Sequence, residues 1–116
     1  KKPDGSLSID GIFCPNESTT FGMLRALQDG KLAGKVKFVG FDTSEKLIEG
    51  LQKDEIHALM AQNPFKMGYE GVKAMATYLR DQQSIQDKKI DTGAMLITKA
   101  NMNEPAVKEL LNPPKE

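Results

Sequence analysis

The sequence predicts an α/β fold, a parallel sheet with helices on both faces, and three observations carry that expectation. Short apolar runs alternate with stretches of helical periodicity in the order β-α-β-α-β-α-β-α, the pattern of parallel strands joined by right-handed helical crossovers. Three of the runs end alike, IDGIFCPNES at Asn16, VKFVGFDTS at Asp42 and IHALMAQNPF at Gln62, each a polar side chain just ahead of helix-starting residues. The run Val36–Phe41 is apolar enough to be covered on both sides, as strands of parallel sheets are.

Taken in order, residues 1–8 are polar, contain Gly and Pro and lack periodicity, so they read as a linker or a cut end. Ile9–Cys14 is the first strand. Asn16, Glu17 and Ser18 can each start the following helix, which runs to about Asp29 with Phe21, Leu24 and Leu27 inward and Met23 widening the stripe. Gly30 and Gly34 bracket its exit. After the second strand, Thr43 or Ser44 caps a helix whose Glu45 meets the positive end of the dipole and whose Leu47, Ile48 and Leu51 face the core.

Ile56–Ala61 forms the third strand, and Pro64 suits the first position of the next helix. There Phe65, Gly68, Val72, Met75, Ala76 and Leu79 recur at spacings of three and four, the strongest helical periodicity in the chain. Asp81–Asp91 is a solvated polar connection in which Lys88 and Lys89 read as surface charges. Thr92–Thr98 is the fourth strand. Asn101 or Asn103 starts a last helix with Pro105 in its first turn and Val107, Leu110 and Leu111 inward, and Asn112, Pro113 and Pro114 end it.

A length of 116 residues suits one domain, and 16 basic against 16 acidic residues leave no electrostatic footprint for nucleic acid or an anionic membrane. The lone Cys14 cannot form an internal disulfide and reads as a small buried hydrophobe. No apolar run approaches the roughly 20 residues that span a bilayer, and KKPDGSLS lacks the apolar core of a signal peptide. The chain is expected to be soluble. His57 has no Cys or His at metal-ligand spacing, so it reads as structural. The six methionines follow the core faces, and neither a GxGxxG nor a P-loop occurs.

Open parallel sheets bind ligands at the carboxyl ends of their strands, where loops converge and helix N-termini point inward. Asn16, Asp42 and Gln62 all fall on that edge. An amide offers paired donor and acceptor and an ionised Asp accepts from hydroxyls, so the set suits a neutral, hydroxyl-rich small molecule, with Phe41 and Phe13 as candidate faces for a sugar ring. Each of these residues has a plainer reading as a helix cap, and both readings stand at this point. No nucleophile, base, metal cluster or cofactor motif is expected. Glu17, Asp42 and Lys99 after strands loosely resemble a receiver domain, but such a domain wants an acidic pair after its first strand and CPNES offers only Glu17.

On these same residues the sequence resembles the type I periplasmic sugar-binding proteins of the ribose-binding group, whose fold the lactose-repressor family shares. The carrying segments are IDGIFCPNESTTFGMLRAL, KVKFVGFDTSEKLIEGLQKDEIHALMAQNPFKMGYEGVKAM and DTGAMLITKANM. The resemblance implies sugar contacts at Asn16, Asp42 and Gln62 with Phe41 as a ring contact. It implies no enzyme, no cofactor and a non-catalytic role as the solute-binding component of an ABC importer or chemoreceptor in the periplasm or an extracytoplasmic space, with a membrane permease as partner of the intact protein. The alternative is the cytoplasmic effector-binding domain of a lactose-repressor-like regulator. It further implies that the chain corresponds to the C-terminal part of a two-lobe fold: residues 9–62 from the second lobe, 63–84 a hinge crossing and a helix that packs on the first lobe or on a swapped copy, and 85–116 a return strand and last helix. A half cleft of this kind is expected to bind sugar weakly or not at all.

Overall fold

The computed structural model describes residues 2–3, 8–82 and 89–112. The expected segments at 4–7 and 83–88, Lys88 among them, and at Pro113 and Pro114 lie outside the described residues. Strand β1 (Gly11–Phe13) leads into helix α1 (Glu17–Asp29), β2 (Lys37–Phe41) into α2 (Glu45–Gln52), β3 (Ala58–Gln62) into α3 (Pro64–Asp81) and β4 (Ala94–Ile97) into α4 (Pro105–Leu111). The strands form one sheet in the order β1-β2-β3-β4.

The first three strands run parallel, with Ile12 opposite Phe38 and Val39 opposite Ala58. The fourth corrects the sequence expectation, because β4 pairs antiparallel to β3 with Gln62 opposite Ala94. The reason lies in α3. A parallel return needs the intervening helix to pack back across the sheet, yet α3 buries none of its residues. The chain therefore re-enters at the edge where β3 left and runs back along it.

One side of the sheet carries the core. Phe38, Leu59, Ala61 and Ile97 point there and meet Leu24, Leu27, Leu47, Leu51 and Val107 from α1, α2 and α4. The expected second layer of helices is not found among the described residues. The opposite face keeps Phe13 61% and Leu96 47% exposed, and α3, the one remaining described helix, projects instead of covering it. With that projection the molecule measures 65 × 28 × 18 Å. No described helix is long and apolar enough to cross a membrane.

Within α1 the inward positions are Thr20, Leu24 and Leu27, at steps of four and three, whereas Phe21, expected inward, is 41% exposed. Thr20 holds its place by hydrogen bonding: its hydroxyl donates to the Asn16 carbonyl at 2.7 Å and accepts the Phe41 N–H at 2.9 Å. A buried hydroxyl so satisfied carries no desolvation penalty. Cys14 is buried in the same core, and burial raises its thiol pKa against a smaller lowering by the Thr19 side chain. His57 is structural, since its Nδ1 accepts the Phe38 N–H at 3.2 Å while its own N–H donates to the Phe38 carbonyl.

At the last helix, Glu104 and not Asn101 or Asn103 is the cap, with Pro105 at the first helical position as expected. Asn101 builds the turn instead, accepting the Thr98 N–H at 2.7 Å and donating to the Leu96 carbonyl. An Asn side chain that folds onto nearby backbone competes with helix initiation in this way.

Gly40 sits where α1 crosses β2, and a Cβ there would collide with the Thr20 methyl and lie 3.1 Å from Leu59. Gly40→Ala is expected to destabilise the chain by about 2–3 kcal/mol through overpacking and loss of the Thr20 bonds. Urea unfolding followed by circular dichroism checks it, and a change below about 0.5 kcal/mol would mean that the crossing is looser than described.

Candidate functional site

Asp42 closes β2 in a left-handed backbone conformation, φ +68°. Such angles are uncommon for residues with side chains, although Asp and Asn tolerate them best. Two bonds fix it. Its N–H donates to the Met60 carbonyl at 2.8 Å, and its Oδ2 accepts the N–H of Glu17, the first residue of α1, at 3.1 Å. A carboxylate at a helix N-terminus is favourable because the first amides have no partner inside the helix. Oδ1 has no hydrogen-bond partner among the described residues.

Asp42 and Gln62 line one cavity of about 450 Å³ at the carboxyl edge of β2 and β3. Thr43 and Ser44 from the start of α2, Glu17 from α1, and Pro64 and Met67 from α3 complete its wall. Ser44 makes no side-chain capping bond, so its hydroxyl and the first amides of α2 add polar groups to the rim. The wall thus combines carboxylate acceptors, hydroxyls and a carboxamide with one apolar side from α3.

Of the four residues expected from sequence, the structure brings two, Asp42 and Gln62, to this cavity. Asn16 stands one residue outside the wall and caps α1: its Oδ1 accepts from the Thr19 N–H at 3.0 Å, from the Ser18 hydroxyl at 3.0 Å and from the Thr19 hydroxyl at 2.9 Å. Its Nδ2 takes no part in the cap. Phe41 is half-buried and falls, with Phe13 and Met60, on the sheet face away from the helical core. The sequence reading missed Glu17, Thr43, Ser44 and Met67 as wall residues. The signal available was adjacency, since each lies within five residues of an expected site residue.

Lys99 is not part of this site. It follows an antiparallel strand, so the end of β4 lies at the opposite sheet edge, where Lys99 pairs with Asp54. A second groove of about 400 Å³ lies between the start of α3, Thr92–Met95 and α4, with Asn63, Thr92 and Glu109 as polar lining residues, and its Asn63 side chain already accepts the Lys66 N–H at 2.8 Å. Among the described residues no cluster of three His, Cys, Asp or Glu could hold a metal.

Residues 1–84 match the periplasmic binding protein domain family. The D-allose-binding periplasmic protein of Escherichia coli is 31% identical over 68 residues, 59% of this chain and 22% of that protein. A carbohydrate-transporter solute-binding protein from Agrobacterium radiobacter, solved with D-arabinose, superposes with a TM-score of 0.77 at 37% identity over 88% of this chain and 34% of its own. An ABC-transporter solute-binding protein from Agrobacterium vitis, solved with D-fucose, gives 0.80 at 35% identity over 89% of this chain and 35% of its own. The chain therefore spans about a third of the length of these solved relatives.

The two bonds at Asp42 predict a measurable local effect. In Asp42→Gly the left-handed backbone is relieved but the Glu17 amide loses its acceptor, so amide exchange at Glu17 should quicken about tenfold while global stability changes by less than about 1 kcal/mol. Hydrogen exchange read residue by residue by NMR checks it, and unchanged protection at Glu17 would remove Asp42 as its anchor.

Proposed function

Because the chain belongs to the periplasmic binding protein domain family, we propose that it supplies one wall of the sugar-binding cleft of a solute-binding component serving an ABC importer or a chemoreceptor, in the periplasm or another extracytoplasmic space. The single observation that supports this best is the convergence of Asp42 and Gln62 on one cavity at the strand carboxyl edge. Asp42 Oδ1 accepts a hydrogen bond from a sugar hydroxyl, the Gln62 carboxamide gives and takes one each, and the Asn16 Nδ2 donates a further one from the neighbouring cap. Phe41 adjoins Asp42 outside the cavity wall, so in this reading a ring contact from it requires a ligand that extends past the cavity to the sheet face. The proposed role is non-catalytic: hydrogen bonds hold the sugar and no bond in it is made or broken.

Under this reading the opposing wall belongs to a further lobe, and α3 is the element that meets it. Phe65, Val72 and Leu79 are 62%, 72% and 68% exposed along one helical stripe, with Tyr69 stacked on Phe65 at 6.4 Å between ring centroids. A row of that kind is an interface waiting for its partner surface. Ligand bridging both walls would favour the closed form, which a membrane permease recognises; hinge closure of periplasmic binding proteins is a standard instance of such a transition. The zero formal charge keeps nucleic acid out of the partner list.

Each hydrogen bond that the other wall would make to a charged group and that this chain lacks forfeits about 1.5–3 kcal/mol. The 116-residue chain alone is therefore expected to bind pentoses and hexoses with a Kd of about 1–100 mM. Isothermal calorimetry with a panel of both checks this, and micromolar affinity would sink the half-cleft reading. In the full-length protein Asp42→Ala and Gln62→Ala should each weaken sugar binding about 10- to 100-fold. A helix-turn-helix encoded upstream, in place of a signal peptide, would move the reading to a repressor's effector domain.

A further inference from the structure

Two carboxylates, Glu17 and Asp42, line the candidate cavity, and no Lys, Arg or His does. The positive end of α1, which could have received an anionic group, is already taken: the Glu17 N–H by Asp42 and the Thr19 N–H by Asn16. What remains positive are the starts of α2 and α3, partial charges of about half a unit each, against two full negative charges. The negative side prevails. Asp42 is committed by its Oδ2 bond to a fixed position, whereas the Glu17 side chain has no partner among the described hydrogen bonds and ion pairs.

We propose that Glu17 is a specificity-determining residue of this cavity, a second negative charge beside Asp42 that admits neutral or amine-bearing sugars and turns away sugar acids and sugar phosphates. The inference rests on the reading of the cavity as a sugar site and adds the charge class of the ligand. An anionic substituent near the strand edge would face like charges from two sides, with no guanidinium or ammonium to offset them. A hydroxyl or ammonium would find acceptors. Glu17 contributes its anchoring amide through the backbone, so replacing the side chain leaves the Asp42 bond available.

The test is a titration of the 15N-labelled chain and of its Glu17→Gln and Glu17→Lys variants with D-arabinose and with D-arabinonate, followed at the Asp42 and Gln62 amides. The wild-type chain should prefer arabinose. The ratio of arabinonate to arabinose affinity should rise about three- to tenfold in Glu17→Gln, the scale of one partly screened charge–charge interaction, and further in Glu17→Lys. The gain should shrink at about 0.5 M salt, a response that a purely structural role for Glu17 would not give. An unchanged ratio in both variants, with arabinose still shifting Asp42 and Gln62, overturns the role of Glu17 and leaves the sugar site standing. If arabinose moves neither amide at any concentration up to about 100 mM, the site reading fails and this inference with it.

Discussion

The close crossing of α1 over β2 at Gly40 is the constraint from which the site follows. The absence of a side chain at Gly40 admits Thr20 against the strand, and the Thr20 hydroxyl then ties the Phe41 N–H to the Asn16 carbonyl. That double bond of helix to strand sets the height of α1. Its first amide consequently arrives 3.1 Å from the Asp42 carboxylate. A packing decision in the core thus positions an acceptor at the rim, and a site on rigid elements keeps its geometry better than one on free loops. The same crossing explains why Thr, the polar residue, occupies an inward position that hydrophobic pattern alone would assign to Phe21.

The alternation of elements and the edge residues were legible in the sequence because their signals are local. Asn16 reads as a possible cap and is one; Pro64 and Pro105 stand at first helical positions, where a missing N–H costs nothing. What the sequence hid was set at long range. The direction of β4 depends on where α3 goes, and an amphipathic stripe states that a helix has a partner without saying which. Asn101 has the composition of a helix cap and the geometry of a turn, a choice settled by the Leu96 and Thr98 backbone within its reach. Glu17 reads in sequence as one of three possible helix starts and as the only acid of CPNES. Its place in the cavity wall follows from the left-handed bend at Asp42, which no spacing rule reports.

Two apolar surfaces stand open, the α3 stripe and the sheet face bearing Phe13 and Leu96. They differ in kind. On the sheet face Val39, Phe41 and Met60 are half-buried within the sheet. The α3 stripe belongs to a helix that none of the described elements buries. At about 25 cal/mol per Å² of apolar area removed from water, covering five such side chains is worth several kcal/mol, enough to fix a neighbouring body in place. Polar surface on the reverse of α3, Lys66, Lys73 and Arg80 among it, keeps that helix from being covered all round.

The cap and contact roles at this edge are complementary, because a carboxamide has two ends. The Asn16 Oδ1 is saturated by the helix, so any part that Asn16 plays toward a ligand is limited to donation from Nδ2. Asp42 is limited the other way, to acceptance at Oδ1. Gln62, with no bond from its side chain in the described structure, retains both functions. A strand edge that donates at one point, accepts at another and can do either at a third would match adjacent hydroxyls, each of which donates once and accepts elsewhere. Inverting one hydroxyl would move it out of reach of its partner, and a polar group left unpaired on closure costs more than its bond contributes when made. The folding constraint on Asn16 and Asp42 thereby also fixes the polarity that this edge presents under the proposed sugar-binding role.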